Sequence, residues 1–344
     1  MNREEAIQKY QEDVKDYLQN VSERLESGFA EKEKWFMQAM QQTLRQLYSD
    51  HEEKGKIRYL QMSLLRSRMD EALYEMLLSF HNEAYFLDPA PRMQKIDISD
   101  LFMPLKAART ALYQALRRYQ GKVQKYDADR IIRETAMNVY KKRAERCRFL
   151  FRDLDLWLSE EGLQAGQRLT VKWGGFEEAS ETIFLKDTGK KEQKQFLTYN
   201  EPNTVEQWDS QYVYQNWETA HFTDLDTEKK NLLFAVLRQC RMERCQWKNC
   251  LMHGAGFRRS DLRQVAFAGC DLSGSDFRGV RFEQVTFLQC NLSNADFTGT
   301  ELQGVAFTGS MMDNAVFSRD GLSCKGLNAG QLQKIRMEEE PYVF

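Results

Sequence analysis

Three cysteines recur at intervals of twenty residues, at Cys250, Cys270 and Cys290. If the fold stacked them, their thiols would offer a disulfide or a site for a soft metal ion. No histidine follows the same spacing, and Cys240 and Cys245 fall on the same position of a repeat. We therefore expect all five to pack as small apolar side chains, in a protein that occupies a reducing compartment.

The other residue types that carry catalysis show no recognisable arrangement. No two carboxylates form an acid and base pair, and the histidines lack the spacing of metal ligands. The stretch His253–Gly256 is similar to a phosphate-binding loop, but Gly254 and Ala255 occupy positions of the same repeat. We predict a protein that is not an enzyme and that uses no cofactor and no metal. The dispersed histidines are His51, His81, His221 and His253.

Four arginines are the candidate binding residues. Residues 241–281 carry eight basic and four acidic side chains, whereas residues 282–313 carry no basic and four acidic ones. Because a guanidinium group matches a planar carboxylate, the basic end is predicted to contact an acidic partner or the chain's own helical region. Ordinary surface charge is the alternative. The candidates are Arg258, Arg259, Arg278 and Arg281.

A five-residue repeat from Ala255 to Leu322 must position these side chains. Large apolar residues occupy every fifth position, and the residue two places earlier is small in every unit but that of Asp320. Residues two apart on an extended chain point to the same side, so each unit is predicted to bury one small and one large side chain. Gly or Asn often stands two places after the large residue, which predicts a turn with positive φ. The large residues are Phe257, Leu262, Phe267, Leu272, Phe277, Phe282, Phe287, Leu292, Phe297, Leu302, Phe307, Met312, Phe317 and Leu322.

A longer period of twenty residues predicts that four units form one coil. Columns of like residues would then stack at the spacing of a parallel ladder. One column would contain Phe257, Phe277, Phe297 and Phe317, and another Phe267, Phe287 and Phe307. Motifs such as Ser275-Asp276-Phe277 and Ala295-Asp296-Phe297 resemble those of the pentapeptide-repeat family. The resemblance covers the last third of the chain. It implies a right-handed, four-sided β-helix whose last coil is covered by a helix.

Apolar residues at a spacing of three and four across residues 1–160 predict four amphipathic helices, which would form an antiparallel bundle or coiled-coil hairpins. The predicted helices span about 3–48, with an interruption at Gly28, then 56–87, 99–124 and 127–158. Ser99 is the predicted N-cap of the third helix. The basic face of the fourth helix is either a nucleic-acid contact or a solvated surface, and the balanced charge of the region favours the surface. This face comprises Lys141, Lys142, Arg143, Arg146 and Arg148.

The connecting region predicts a β-hairpin over 167–187 with a long tip, because apolar residues alternate there. Trp208, Tyr212, Tyr214, Trp217 and Phe222 follow, and they favour a cap on the β-helix over a ligand surface. A short helix is predicted over 228–238, where Thr227 interrupts the five-residue register. A second helix is predicted over 331–340. The apolar tail 341–344 either binds a partner or folds back on the cap.

These patterns predict an α+β protein with four parts: a helical bundle at 1–160, a capping and connecting region at 161–239, the pentapeptide-repeat β-helix at 240–327, and a cap helix with a tail at 328–344. The helical part is expected to bind a protein or to self-associate, while the solenoid presents a flat face, so the chain would be a non-catalytic adaptor. The resemblance to the pentapeptide-repeat family implies an alternative, since members of that family protect topoisomerases by imitating DNA. Such a protein needs excess negative charge, yet residues 240–327 carry ten basic and nine acidic side chains.

The whole chain carries a net charge of −2, so direct binding of nucleic acid is not expected. No apolar run reaches the length of a membrane span, and the first residues carry no signal sequence. We expect a cytoplasmic protein, with export by a dedicated secretion system left open.

Overall fold

The computed structural model describes residues 1–49, 57–163, 166–187, 212–318 and 326–338. The chain divides into two compact units, Met1–Leu185 and Lys186–Phe344. The predicted α+β class, with helices first and a solenoid last, is confirmed. Within the described ranges, no helix is both long enough and apolar enough to cross a membrane.

Six helices lie in the described part of the first unit. A capping box at Asn2 starts the first of them, since the Asn2 side chain accepts from the Glu5 amide and the Glu5 carboxylate accepts from the Asn2 amide. Gly28 lies inside this helix, and the break predicted there occurs at Lys32, whose amide donates to the Phe29 carbonyl. The helices are α1 Arg3–Glu31, α2 Glu33–Ser49, α3 Met103–Ala115, α4 Lys125–Lys142, α5 Ala144–Phe151 and α6 Leu154–Glu160.

The predicted helix over 56–87 is wrong. Two antiparallel strands occupy this segment, β1 Tyr59–Leu64 and β2 Glu75–His81, and Leu60 lies opposite Phe80. Leu60, Met62 and Leu64 of β1 alternate with polar residues, as in a strand. Ile57, Leu60 and Leu64 also fit the three-four spacing of a helix, and the prediction followed that spacing. Ser99 is not a helix N-cap either, because its hydroxyl accepts from the Tyr74 amide and fixes the end of β2.

These strands belong to a five-stranded mixed sheet, so a helical bundle alone does not describe this unit. The strand order is β3-β2-β1-β4-β5, with β1 and β4 parallel. The predicted hairpin over 167–187 is confirmed as β4 and β5, but its tip has only four residues, 176–179. Trp173 of β4 joins the sheet to α4, since its ring stacks on Tyr140 at 4.0 Å and its indole nitrogen donates to the Tyr140 carbonyl at 2.7 Å. The remaining strands are β3 Arg92–Asp97, β4 Arg168–Gly175 and β5 Ser180–Asp187.

The second unit is a four-sided solenoid of short parallel strands. Each strand pairs with the strand twenty residues away, as in the pairs of Asp261 with Arg281 and Leu262 with Phe282. The first side comprises β6 His221–Thr223, β8 Arg241–Glu243, β10 Asp261–Arg263, β12 Arg281–Glu283 and β15 Glu301–Gln303. The second side comprises β7 Asp226–Glu228, β9 Gln246–Lys248, β11 Ala266–Ala268 and β13 Thr286–Leu288.

Single bridges build much of the other two sides. On the third side they join Asn231, Leu251, Asp271, Asn291 and Met311. On the fourth side they run from Asn216 to Asp296, where strands β14 Asp296–Phe297, β16 Val316–Ser318 and β17 Arg336–Glu338 take over.

Stacked phenylalanine rings fill the interior, as the period of twenty predicts. Phe277 stacks on Phe257 at 4.9 Å and on Phe297 at 4.8 Å between ring centroids. The second column stacks at 5.1 and 5.2 Å through Phe287. Cysteine, serine, alanine and valine at the small positions are buried beside these rings. The solenoid therefore has an apolar core in which each coil packs mainly on its neighbours.

Left-handed backbone marks every corner of the solenoid between residues 214 and 314. Every fifth residue from Tyr214 to Asn314 has positive φ without a break. The predicted turn positions that carry Gly or Asn all conform, but many corners carry other residues, such as Phe234 and Gln239. These side chains are strained there, by about 1–2 kcal/mol each, so the regular coil imposes its geometry on unsuitable residues.

The described coils already include Tyr212, well before Cys240. The predicted helix over 228–238 is wrong, because this segment forms one more coil in which Leu232 and Leu237 point inward. Thr227 does not interrupt the register, since its side chain is buried at a large position. Tyr212, Trp217 and Phe222 are buried in the solenoid core and so are not a ligand surface; Trp208 lies outside the described residues.

A short helix and a strand follow the last complete coil. Helix α7, Ala329–Leu332, is shorter than the predicted helix over 331–340, and β17 then pairs in parallel with β16. The Gln331 amide donates to the carbonyls of Phe307 and Ser310 at 2.8 and 3.0 Å, and thereby satisfies backbone at the end of the solenoid. The tail 341–344 lies outside the described residues.

Candidate functional site

The cysteine column is an apolar packing element. Cys250, Cys270 and Cys290 are free and buried, and the thiols of Cys270 and Cys290 donate to the carbonyls of Trp247 and Phe267 at 3.3 and 3.4 Å. Within the described part of the chain, no group of three or more His, Cys, Asp or Glu side chains could hold a metal ion. Burial raises the pKa of the nearby Cys240 to about 12, so this thiol stays protonated and is a poor nucleophile.

A serine, a histidine and an aspartate meet on the third side of the solenoid, an arrangement that the sequence analysis missed. The Ser273 hydroxyl donates to Asp271 Oδ1 at 2.6 Å and lies 2.7 Å from His253 Nδ1. In a catalytic triad the imidazole lies between the carboxylate and the hydroxyl, so that it can take the hydroxyl proton. Here the hydroxyl is in the middle and already donates to the carboxylate. The contacts thus tie two coils together and do not activate Ser273.

A second serine and histidine pair lies on β2. Ser79 Oγ is 2.8 Å from His81 Nε2, and both side chains are buried. Burial lowers the pKa of His81, and the charge of Asp88 opposes this only in part. Among the described residues, no carboxylate hydrogen-bonds the imidazole to orient it as a base. Strand alternation places the two residues on one face, so the pair follows from their spacing of two.

The basic face of the fourth predicted helix is engaged within the first unit. Lys141 pairs with Glu178 at 2.7 Å, and Arg146 holds Glu33 through two contacts of 2.6 Å. Two further residues of this face are also in contact. Arg148 pairs with Glu181 at 2.6 Å, and Arg143 lies over the ring of Phe29. These pairings favour the structural interpretation over a nucleic-acid contact.

Two of the four candidate arginines lie together on the fourth side. The buried Asp276 accepts from Arg278 at 2.6 and 2.8 Å and pairs with Arg258 at 3.4 Å. Arg278 also lies 3.6 Å from Asp296. Both guanidinium groups are therefore already matched to carboxylates inside the solenoid. Arg238, which the sequence analysis missed, occupies the same column and pairs with Glu218 at 3.5 Å.

The other two candidates lie elsewhere. Arg281 is on the first side, where it pairs with Glu301 at 3.3 Å while both side chains remain 70% exposed. Arg259 is exposed at the corner between the fourth and first sides. The structure thus brings Arg258 and Arg278 to one carboxylate and leaves Arg259 and Arg281 available on the surface.

The first and second sides of the solenoid, which are neighbours, differ in the charge of their outward residues. The outward residues of the first side are mostly charged and form ladders such as Arg263 with Glu283 at 3.6 Å. From β11 onward, the outward residues of the second side carry no charge at all. We name these the uncharged patch: Ala266, Ala268, Thr286, Leu288, Ala306 and Thr308. Its corners are also neutral: Gln264, Gly269, Gln284, Gln289, Gly304 and Gly309.

The sequence analysis missed this patch because it counted charge along the chain. In a coil of twenty residues, the outward residues of one side recur every twenty positions, as in the pair Ala266 and Thr286. Sorting the charges by that period would have revealed the patch.

Comparison with known proteins confirms the fold of the C-terminal part. Residues 240–317 match the model of the pentapeptide repeat region. A search of curated proteins returns no match. One similar solved structure is a pentapeptide repeat protein from Nostoc PCC 7120, with 15% identity, a TM-score of 0.25, and coverage of 36% of this chain and 85% of that one.

Two further similar solved structures have similarly low identity. A pentapeptide repeat protein from the Arabidopsis thaliana thylakoid lumen has 20% identity and a TM-score of 0.17, over 38% of this chain and 78% of that one. QnrB1, a plasmid-mediated fluoroquinolone resistance protein, has 21% identity and a TM-score of 0.19, over 28% of this chain and 55% of that one.

Proposed function

We propose that the chain is a non-catalytic protein-interaction scaffold whose uncharged patch binds a protein. The observation that carries this proposal is the contrast between the two neighbouring sides of one solenoid. Both sides have the same backbone, yet the first side carries ion-pair ladders while the second has none from Ala266 to Thr308. The cores of protein interfaces are depleted in charged residues, and the patch has that composition.

The rigidity of the solenoid supports this role. Leu288 is 46% exposed, but its strand pairs in register with β11, and the ring of Phe287 beside it is stacked in the core. A surface that is already ordered loses little conformational entropy when a partner binds. The patch is small, and beyond its neutral corners the charged side chains of the first side, such as Arg263 and Glu283, would form a polar rim. Arg281 and Arg259 are our candidates for contacts with acidic groups of the partner.

The charge of the solenoid does not favour imitation of DNA. Residues 240–318 carry eight basic and eight acidic side chains. A surface that imitates a duplex needs a dense and continuous negative charge, and here most carboxylates are paired with arginine or lysine of the next coil. A scaffold is the better account, while a topoisomerase stays a possible outcome of the test.

The test compares three full-length baits in a native lysate: the wild type, Leu288→Arg, and Gln303→Arg as a matched control. Gln303 is an exposed neutral residue of the first side, so the control adds the same charge to a neighbouring side. We expect Leu288→Arg to recover at least ten-fold less of the partner protein than the wild type and Gln303→Arg do. Equal recovery by all three baits would contradict the proposal. Recovery of a topoisomerase as that partner would favour the DNA-imitating alternative.

A further inference from the structure

The loop between β2 and β3 covers a buried histidine. His81 is the last residue of β2 and is only 7% exposed. The rings of Tyr85 and Phe86 meet its imidazole edge-on, at 5.5 and 6.2 Å between ring centroids. We name residues 82–88 the Tyr85 loop. Water can therefore surround the imidazole only if this loop moves.

A proton on His81 is poorly accommodated beneath the loop. The Nε2 atom lies 2.8 Å from Ser79 Oγ, but Nδ1 is buried and has no hydrogen-bond partner among the described residues. A protonated imidazole carries a hydrogen on both nitrogens. One N–H group would then be buried without an acceptor, together with the positive charge, which is costly in a place that water does not reach.

The charges around His81 do not remove this cost. Burial lowers the pKa of His81, and the nearby Asp88 carboxylate and Tyr85 carbonyl oppose this only in part. The Glu83 carboxylate pairs with Arg58 at 3.6 Å. The closed loop therefore favours the neutral imidazole. In the described part of the chain, the charged and titratable side chains near His81 are Arg58, Tyr59, Glu83, Tyr85, Asp88 and Arg92.

The Tyr85 loop has a fixed base and a lightly held tip. At the base, the Asp88 carboxylate accepts from the amides of Asn82 and Ala90 at 2.8 and 3.1 Å. At the tip, Phe86 is 63% exposed and Leu87 is 85% exposed, so moving them off the sheet uncovers little additional apolar surface. The tip can therefore open while the base stays in place.

Tyr85 connects the tip to the sheet and is strained. Its hydroxyl donates to Gln61 at 2.6 Å, and its ring stacks on Tyr59 at 4.4 Å. Its φ is +52°, in the left-handed region that disfavours residues with a Cβ. Opening exchanges these contacts for relief of the strain. A change of charge at His81 is therefore enough to shift the balance between the closed and open loop.

We infer that the Tyr85 loop is a lid that opens when His81 becomes protonated. In the open loop the imidazole is hydrated, and its pKa returns toward the ordinary value of about 6.5. Because burial lowers the pKa in the closed loop, the closed form has its full advantage above about pH 6.5 and loses it as the pH decreases. Opening uncovers Gln61 and His81 on the sheet. The lid belongs to the first unit and acts independently of the uncharged patch.

Hydrogen exchange of the full chain, followed by mass spectrometry, tests the lid. It is measured at about pH 7.5 and about pH 5.5, on either side of the histidine titration, and corrected for the intrinsic pH dependence of amide exchange. The reporter peptide covers residues 82–90, where the Ala84 amide donates to the Asn82 side chain at 2.8 Å. We expect its protection to fall several-fold at the lower pH, up to a limit of about ten-fold set by an open-loop pKa of about 6.5.

Three variants separate His81 from other causes. His81→Gln and His81→Phe cannot titrate, so their protection should be the same at both pH values. His81→Phe keeps a ring beneath the loop and decides the matter if His81→Gln is unprotected throughout. Tyr85→Phe loses only the hydroxyl bond to Gln61, so it should lower protection at both pH values and keep the wild-type ratio between them.

Two results would overturn the lid. One is equal protection of the wild-type loop at both pH values. The other is a wild-type ratio in His81→Phe, because another titrating group would then open the loop. A peptide over residues 281–288, in the solenoid, should show no change with pH and checks the correction for intrinsic exchange.

Discussion

The two units of this chain are stabilised by contacts of different range along the sequence. In the solenoid, Phe277 packs on residues twenty positions before and after it. In the first unit, the Tyr10 hydroxyl donates to the Leu112 carbonyl, and Tyr59 of β1 lies opposite Thr170 of β4. In the solenoid, the residues that contact a given position can therefore be predicted from the period of the sequence. In the first unit, contacting residues are separated by no regular interval. This difference also decides how far each substitution should act.

The largest expected effect comes from the phenylalanine column. Phe277→Ala removes a fully buried ring with a stacked neighbour on each side, which should lower the free energy of unfolding by about 3–5 kcal/mol. Phe317→Ala is the control: among the described rings, Phe317 stacks on Phe297 alone and meets Phe307 edge-on, so this substitution should cost less. Denaturant unfolding measures both. Equal costs would contradict the description of coils that depend on their nearest neighbours.

Corner glycines should differ according to what lies beside them. Gly254→Ala and Gly279→Ala both place a Cβ at positive φ, which costs about 1–2 kcal/mol. A Cβ at Gly254 would also overlap the ring of Phe234, and this ring is itself buried between Tyr214 and His253. A Cβ at Gly279, in contrast, meets nothing closer than 3.6 Å. Gly254→Ala should therefore be the more destabilising of the two in thermal unfolding. The reverse order would contradict the corner geometry.

Relief of strain at a corner should stabilise the solenoid. Gln239 has a φ of +54° and an exposed side chain. Gln239→Gly relieves the strain but also adds entropy to the unfolded chain, so the free energy of unfolding should rise by up to about 1 kcal/mol. Gln303→Gly, in strand β15, should instead lower the free energy of unfolding by about 0.5–1 kcal/mol, because glycine is less suited to a strand. Opposite signs in paired denaturation curves are the expected result, and a loss at both positions would contradict it.

The smallest expected effect concerns pH and the first unit. Burial lowers the pKa of folded His81 below its unfolded value of about 6.5, so the unfolded chain binds the proton first. The stability that depends on neutral His81 is then complete above about pH 6.5 and falls as the pH decreases. His81→Gln should flatten the decline in unfolding free energy between neutral and mildly acidic pH. An unchanged decline would show that other groups cause it.

Sequence reasoning predicted the solenoid far better than the first unit. The columns that contain Phe257 and Phe267 predicted a coil of twenty residues, because every coil places the same residue type in the same environment. The coil over 228–238 was missed because Thr227 and Phe234 depart from the consensus, although neighbouring coils still hold them in register. In β1, Leu60, Met62 and Leu64 alternate with Gln61 and Ser63 as in a strand, but Leu60 and Leu64 also continue a helical spacing from Ile57, so both periods fit this short segment.

The candidate surfaces were harder to predict than the fold. The arginines selected by their density along the chain include Arg258 and Arg278, which the coil turns toward Asp276. The uncharged patch collects residues twenty apart, so it is visible only after the chain is wound into coils.

Radical footprinting of the complex between the full chain and its recovered partner tests the central claim most directly. Leu288 in the uncharged patch and Leu251 on the third side are matched, with exposures of 46% and 40%. We predict that oxidation of Leu288 falls several-fold when the partner binds, while oxidation of Leu251 stays unchanged. Unaltered oxidation of Leu288 in a saturated complex would contradict the assignment of the patch as the binding surface.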